Sequence, residues 1–524
     1  MKTQALLLLS LFALAPLLAQ NTPPQVSIQS VSVDVVMQQV TVSYDLIDAQ
    51  QDDCEVWLKV SMDGGEFFAQ ANASDLSGDV GPDIAPGNSK TLVWNYAGTT
   101  ANVYDTRIRV YASDHQALDI QTMVDQVSAT ELQAQLSFIE GVRHITAGNA
   151  HLNAVRDSLE NAFLYYGLST ERHSFTFGSH TGQNILGRKT GAKDEAITFI
   201  IDGHYDSVAN SPGADDNGSA VAGVLEVLRI LSQYEFEHSI RFIGFDFEEA
   251  GLVGSQRYVL NGIKPYENIQ GVLNFEMIGY YSEVPGSQSL PFGFDLLFPQ
   301  AVAEITADQF RGNFLVVCGN TNSSSLIADY TSAAAQYVPE LKIIDLEVAG
   351  NGQIAPDLRR SDHAPFWDSG RKALMITDGA DTRNPYYHTP ADTIGTLNFE
   401  FMTNVVKATL ATLAELAVPI SVGYDGYDVS VLASHHHVHE HQVRIDLFPN
   451  PTGGLLQIKM GLPHAQKFRL EVFDLQGRIM ATRMLDVPQG ESQQELDLQG
   501  LPAGSYVLVF QSGEGAVSRS LVIQ

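Results

Sequence analysis

Residues 196–249 read AITFIIDGHYDSVANSPGADDNGSAVAGVLEVLRILSQYEFEHSIRFIGFDFEE. An apolar run opens the stretch and closes on Asp202, His204 and Asp206. A helical segment follows, with Val221, Val224, Leu225, Leu228 and Leu231 on one face, and then a second apolar run that closes on Glu248 and Glu249. Near-continuous apolar strands, as opposed to alternating ones, belong to a sheet covered on both faces. The strand–helix–strand order therefore predicts an α/β domain. Working outward, QGVLNFEMI at 270–278 and KALMITD at 372–378 read as further strands of the same sheet.

Acidic and imidazole groups stand directly beyond these strands, in IIDGHYDS, PGADDNGS, GFDFEEAG and VLNFEMIG, and NPYYHTPADT follows KALMITD. The carboxyl ends of the strands form the ligand crevice of an open α/β sheet, so these segments can converge on one site. Each alone has a plain structural reading: His204 as a satisfied core histidine, Asn217 as the cap of the helix it precedes, Glu248 and Glu249 as a solvated loop. A cap does not require the two aspartates before it. Adjacent carboxylates repel, and burying either is costly unless a cation compensates it, so the DD and EE pairs point to metal. Histidine with aspartate and glutamate, without cysteine, suits zinc in a catalytic rather than a structural site. Two imidazoles and three carboxylates exceed what one open zinc needs and suit two ions sharing one carboxylate. A carboxylate left beside a ligand is then available as a base.

In their order and spacing, HYDS, PGADDNGS, EEAGLVGS, the M-I-G segment and YHTPADT resemble the zinc aminopeptidase family of bacterial leucyl-aminopeptidase-like enzymes, whose relatives include glutamate carboxypeptidases and glutaminyl cyclases. The resemblance covers about residues 120–415, with its motifs between His204 and Thr393. It implies a two-zinc hydrolase acting on peptides with a free N-terminus. His204 would bind one zinc, Asp216 would bridge both, Glu249 and His388 would bind the other, Glu248 would be the general base, and Asp206 would orient His204. One position departs from the pattern, because Glu276 stands where many members have aspartate. It is expected to complete the His204 zinc, its extra methylene being taken up by backbone or rotamer. RRSDHAPFWDSG resembles the family's element beside the substrate cleft and makes His363 a cleft-wall or supporting group instead of a further ligand. Arg359 and Arg360 either meet a substrate carboxylate or hold a loop. Two rival readings are a one-zinc glutaminyl-peptide cyclisation, opposed by the paired aspartates of PGADDN, and a non-catalytic binding protein on the same fold, opposed by the complete ligand and base set.

The remainder of the 524 residues reads as modules around this core, with 44% hydrophobic residues enough for several domains. Residues 1–20, MKTQALLLLSLFALAPLLAQ, carry a basic start, a short apolar run interrupted by Pro16 and small residues near Ala19, the pattern of a cleaved signal peptide and not of a membrane anchor. Residues 24–115 alternate apolar and polar in short runs and predict an N-terminal β-sandwich, with Trp57, Trp94 and Tyr111 in its core in preference to a carbohydrate-binding strip. The catalytic domain, a mixed, mostly parallel sheet with helices on both faces, is expected over 116–418. A polar linker is expected over 419–444, its His435, His436, His437, His439 and His441 solvated. Residues 445–524 predict a small β-sandwich, in which IDLFPNPTGGLLQI, EVFDLQGRIM and LQGLPAGSYVLVF resemble the C-terminal sorting domain of type IX secretion substrates. That resemblance implies the type IX machinery as a partner and a secreted or cell-surface destination. Only Cys54 and Cys318 occur, so no disulfide framework is expected. A net charge of −31 opposes binding to nucleic acid or anionic membrane, and no later segment has the length of an integral membrane span.

Overall fold

A computed structural model describes residues 21–34, 37–97, 106–429, 444–462, 464–474, 479–512 and 515–524. The signal-peptide reading of 1–20 and the histidine tract at 435–441 lie outside the described residues.

At the centre is an eight-stranded mixed sheet. From one edge its strands are Ile343–Val348, Leu315–Asn320, Leu374–Thr377, Asn268–Phe275, Asp194–His204, His238–Phe245, His180–Lys189 and Ser169–Phe177. Leu374–Thr377, Asn268–Phe275, Asp194–His204 and His238–Phe245 run parallel as a central block. Antiparallel pairings flank that block on both sides. Side chains alternate across each strand, and here both sides are buried. Phe199, Ile201 and Phe242 pack with helices Ala220–Leu231, Ser324–Tyr337 and Phe399–Ala417, while Ile200 and Ile243 pack with Tyr258 and Ile305 of helices Val253–Asn261 and Pro299–Ala307. That two-sided burial is why the strands lack the polar alternation of a half-solvated sheet.

Four strands lie in a sheet in the order Gln25–Asp34, Gln39–Ile47, Gly87–Asn95, Leu76–Gly78. Val40, Tyr44 and Trp94 from it share one core with Leu58, Val60 and Val110 of the second N-terminal sheet. Trp57 and Tyr111 are buried and stacked, with centroids 5.3 Å apart. They face the α/β domain: the Trp57 indole donates to the Ala192 carbonyl at 3.0 Å, and the buried Lys59 ammonium donates to the Gly191 carbonyl at 2.8 Å beside Glu195. The expectation of a linker from residue 419 needs correction. Pro419–Ile420 pairs with Glu235–Phe236, and Val422–Asp428 is an edge strand paired in register with Arg107–Ser113. Its sequence, VGYDGYD, has few apolar residues because only one face meets the module's core, and its partner lies some three hundred residues earlier in the chain.

The C-terminal strands form a three-stranded and a four-stranded sheet, whose Ile458, Met460, Phe468, Leu470 and Phe510 share a core separate from the others. Cys54 and Cys318 are buried and free. Among the described residues no helix is long and apolar enough to cross a membrane.

Candidate metal centre and active site

The strand ends bring the acids and imidazoles of the sequence motifs together. His204 closes its strand, Glu276 directly follows Asn268–Phe275, and Glu248 and Glu249 lie just past His238–Phe245. Asp216 comes from the loop leading into helix Ala220–Leu231. Two groups result, His204 with Asp216 and Glu276, and Asp216 with Glu249 and His388, each with its ligand atoms within 4.8 Å of one another. Asp216 belongs to both. Its Oδ1 lies 3.5 Å from His204 Nε2 and its Oδ2 lies 3.0 Å from His388 Nε2. Glu276 Oε2 stands 3.5 Å from His204 Nε2, and Glu249 Oε2 stands 3.2 Å from His388 Nε2.

Whether these groups fit metal ions can be tested on their hydrogen bonds. Buried polar atoms are almost always paired. Yet His204 Nε2, Asp216 Oδ2, Glu249 Oε1 and His388 Nε2 are buried without a hydrogen-bond partner, the short His388–Asp216 approach included. Their vacant lone pairs belong to the two triads, and the nitrogen-and-oxygen donor set suits zinc. Charge agrees. Burial pushes the Glu249 carboxyl up to about 7, with Asp216 adding repulsion, and burial with Glu276 and Asp362 holds Glu248 well above the carboxylate range despite His204. Burial opposes a charged His388, but the carboxylates of Asp216 and Glu249 outweigh it and raise the imidazole to about 10. Such a crowd of buried acids takes up protons unless a cation replaces them.

Behind these side chains lies a built support. Asp206 accepts the N–H groups of Glu248 at 3.1 Å and Glu249 at 3.2 Å, and both its backbone oxygen and Oδ1 face His204 Nδ1, at 3.2 and 3.5 Å. A proton on Nδ1 leaves Nε2 bare toward Asp216 and Glu276. The Glu276 carboxylate is held by partners: Ser361 Oγ donates to its Oε2 at 2.7 Å, and Asn217 Nδ2 approaches the same oxygen at 3.4 Å. Asn217 is thus not the helix cap that its position suggested. Its amide donates to the Phe275 carbonyl and accepts the Met277 N–H, tying the Asp216 loop to the Glu276 loop. Asp215 turns inward to the Gly279 N–H and the Asn384 amide, while Asp392 accepts the N–H groups of Asp215 and Asp216.

Arg143, fully buried, donates to the carbonyls of Ile139, Gly141, Tyr205, Pro212 and Gly213, and so fastens the chain beside His204 to the chain before Asp216. Gly213 has φ +60°, and a Cβ there would meet the Asp216 carbonyl at 2.3 Å, so the glycine of PGADDN is a geometric requirement. Phe247, Met277 and His388 also sit at positive φ, 57°, 53° and 57°, each at or next to Glu248 or a member of the two groups. Left-handed backbone of this kind costs about 1–3 kcal/mol per residue and persists where surroundings over-determine it.

Beside Glu276 opens a 440 Å³ cavity walled by Leu290, Phe294, Phe298, Val302, Phe314 and Met375. Tyr387 and Arg360 also line it, and the Tyr387 ring stacks on His388 with centroids 3.8 Å apart. The two arginines separate. Arg360 lines the cavity, pairs with Asp381 at 2.9 Å and donates to the Tyr387 hydroxyl at 3.1 Å, whereas Arg359 holds a loop through the Asn351 carbonyl and Asp368. His363 does not line the cleft. It is fully buried, bonded to the Leu358 carbonyl at 2.9 Å and edge-on to Trp367, and burial lowers its pKa to about 4. It heads a short helix whose Phe366 and Trp367 pack in the same apolar cluster as Phe294, Phe314 and Met375 of the cavity wall, and these apolar surroundings favour the neutral ring.

Sequence reasoning missed Arg143, Ser361, Asp392 and Tyr387. Asp392 and Tyr387 lay inside the NPYYHTPADT segment, and Ser361 lay in RRSDH. Arg143, between Glu140 and His144 in FIEGVRHIT, carried no signal that set it apart from a surface arginine.

Residues 184–413 match Peptidase family M28, and residues 446–524 match the secretion system C-terminal sorting domain. The uncharacterized protein YfbL of Escherichia coli is 32% identical over 277 residues, spanning 50% of this chain and 80% of its own length. Aminopeptidase YwaD of Bacillus subtilis is 30% identical over 224 residues, 42% of this chain and 41% of that protein. Among solved structures, the LapA aminopeptidase of Legionella pneumophila is similar with a TM-score of 0.44 at 21% identity, over 58% of this chain and 76% of that one.

Proposed function

The chain belongs to peptidase family M28 as a zinc-dependent aminopeptidase, and from that premise we propose that it holds two zinc ions and removes the first residue of peptides with Glu248 as general base. The observation that carries the two-ion reading is Asp216, whose two carboxylate oxygens face different histidines, each at the head of its own triad. His204, Asp216 and Glu276 would hold one ion, and Asp216, Glu249 and His388 the other.

Zinc, when bound, polarises the scissile carbonyl and acidifies a water at neutral pH. Glu248 takes the proton of that attacking water and delivers it to the departing amine. Its carboxylate stands 3.8 Å from His204 Nε2, beside the place where the attacking water would be held. Tyr387 is placed to donate to the developing oxyanion: Arg360 already donates to the phenol oxygen, so the hydroxyl's own proton is free for another acceptor. The cavity beside Glu276 receives the first side chain, and its wall of Leu290, Phe294, Phe298, Phe314 and Met375 favours a large apolar one.

Catalysis is assigned to residues 116–418. Residues 24–115, with the strand Val422–Asp428, form an accessory module that buries Lys59 against Glu195 of the catalytic domain. The match at 446–524 supports export through the type IX machinery after removal of the signal peptide, to the cell surface or beyond. A panel of free and N-blocked peptides, assayed before and after chelation, tests the reading. Release of the first residue from free peptides alone, lost on chelation, is the expected result. Cleavage of blocked peptides, or cyclisation of N-terminal glutamine without cleavage, would overturn it.

A further inference from the structure

A second cavity, of 280 Å³, opens beside the other triad. Leu152, Phe177, Val208 and Phe247 give it apolar walls, and His144 and His180 give it polar ones. It also touches Glu249 and Asp206. The two cavities therefore flank the metal centre: one reaches Glu276 of the His204 group, the other reaches Glu249 of the His388 group, and Asp216 is common to both groups.

We propose that this second cavity is the subsite for the penultimate residue of the substrate, selective for apolar side chains, and that Phe177 sets the selectivity. The inference rests on the peptidase reading above. A peptide whose first side chain fills the cavity beside Glu276, with its scissile carbonyl over Asp216, runs on toward Glu249. There the next side chain meets the second cavity, whose volume, near the roughly 300 Å³ lower bound of small-ligand sites, fits one side chain and the adjoining backbone.

Phe177 and His180 flank the tip of the hairpin that joins Ser169–Phe177 to His180–Lys189. Phe177 is 41% exposed, and its ring leans on Phe247, with centroids 5.7 Å apart. Phe247 in turn is packed by Phe175 and Val253 and immediately precedes Glu248. A rigid apolar wall thus runs from the general base to a half-open ring at the hairpin tip. Covering that ring with an apolar side chain removes hydrocarbon from water on both partners, which glycine at the same position cannot do. His144 adds a polar anchor. Its Nδ1 faces the N–H groups of Thr146 and Ala147, both at 3.3 Å, so the ring proton sits on Nε2, a donor for a peptide carbonyl.

The test measures kcat/KM of the zinc-loaded full chain on Phe-Leu-amide and Phe-Gly-amide. The native protein is expected to favour the leucyl substrate on the order of tenfold, the discrimination an apolar pocket can supply. Phe177→Ala, a change at an exposed hairpin tip, is expected to reduce that ratio severalfold, chiefly through a higher KM for Phe-Leu-amide, and Phe177→Leu should restore most of it. A native ratio near one, or a ratio unaltered in Phe177→Ala, overturns the subsite while leaving the peptidase reading intact. Failure to cleave either substrate sinks the peptidase reading, and the subsite with it.

Discussion

Replacing Arg143 by methionine keeps the apolar stem and removes every donor. The guanidinium is completely buried and its five acceptors are all backbone carbonyls. Three of them retain another donor: Ile139 O has the His151 ring, Pro212 O has the Gly141 N–H and Gly213 O has the Gly218 N–H. The carbonyls of Tyr205 and Gly141 depend on Arg143. The Tyr205 acceptor is left buried and unpaired, at about 1–3 kcal/mol, and the half-buried Gly141 acceptor adds a smaller cost, for a destabilisation of about 2.5 kcal/mol. With an unfolding entropy of about 2.1 cal/mol/K per residue over roughly 300 residues, that lowers Tm by roughly 4 °C. The loosened segments adjoin His204 and Asp216, so zinc should also be held about 10–100-fold more weakly, the usual cost of losing support behind metal ligands. Thermal unfolding followed by circular dichroism, with and without zinc, reads the first effect, and competition with a chromogenic chelator reads the second. Arg143→Lys, which keeps the charge but not the planar fork, should fall between the two. A Tm within about 1 °C of the native value, with unchanged zinc affinity, would refute the idea that Arg143 fastens the ligand loops.

Other consequences are equally direct. Ser361→Ala removes the hydroxyl that holds Glu276, and zinc should dissociate about 10–100-fold more readily from one of the two positions, read by stepwise chelation. Glu249→Ala removes a ligand of the other position, so elemental analysis should find that ion lost first and activity lost with it. Truncation before residue 445 removes a segment with its own core, so peptidase activity should survive in soluble form while passage across the outer membrane of a type IX secreting host stops. A truncated chain that reaches the surface normally would refute the sorting role.

The convergence of these acids and imidazoles was legible because their pattern in the chain is local. Acids and imidazoles placed directly after apolar strands, as in IIDGHYDS and GFDFEEAG, have few structural reasons to be there, and strand ends converge by topology. What escaped depended on distant or backbone partners. The Val422–Asp428 strand completes a sheet begun by residues three hundred positions earlier, and its glycines and aspartates give little periodicity. Arg143 answers to five carbonyls, which no side-chain pattern announces. Asn217 had the residue type and the position of a cap, but the helix begins three residues later and the amide is claimed by Phe275 and Met277. His363 stood in a motif near the cleft, yet a short helix turns it into the core beside Trp367.

The central claim is that two zinc ions share Asp216 while Glu248, beside them, moves the proton. Zinc counted per chain by elemental analysis in the native protein and in Glu248→Gln, with turnover measured on the same samples, addresses it directly. Two zinc ions in both proteins are expected, with turnover in the variant reduced by about 10²–10⁴ because the amide keeps the shape of the carboxylate and cannot accept the water's proton. One zinc or none in fully active native protein, or native turnover in Glu248→Gln, would contradict it.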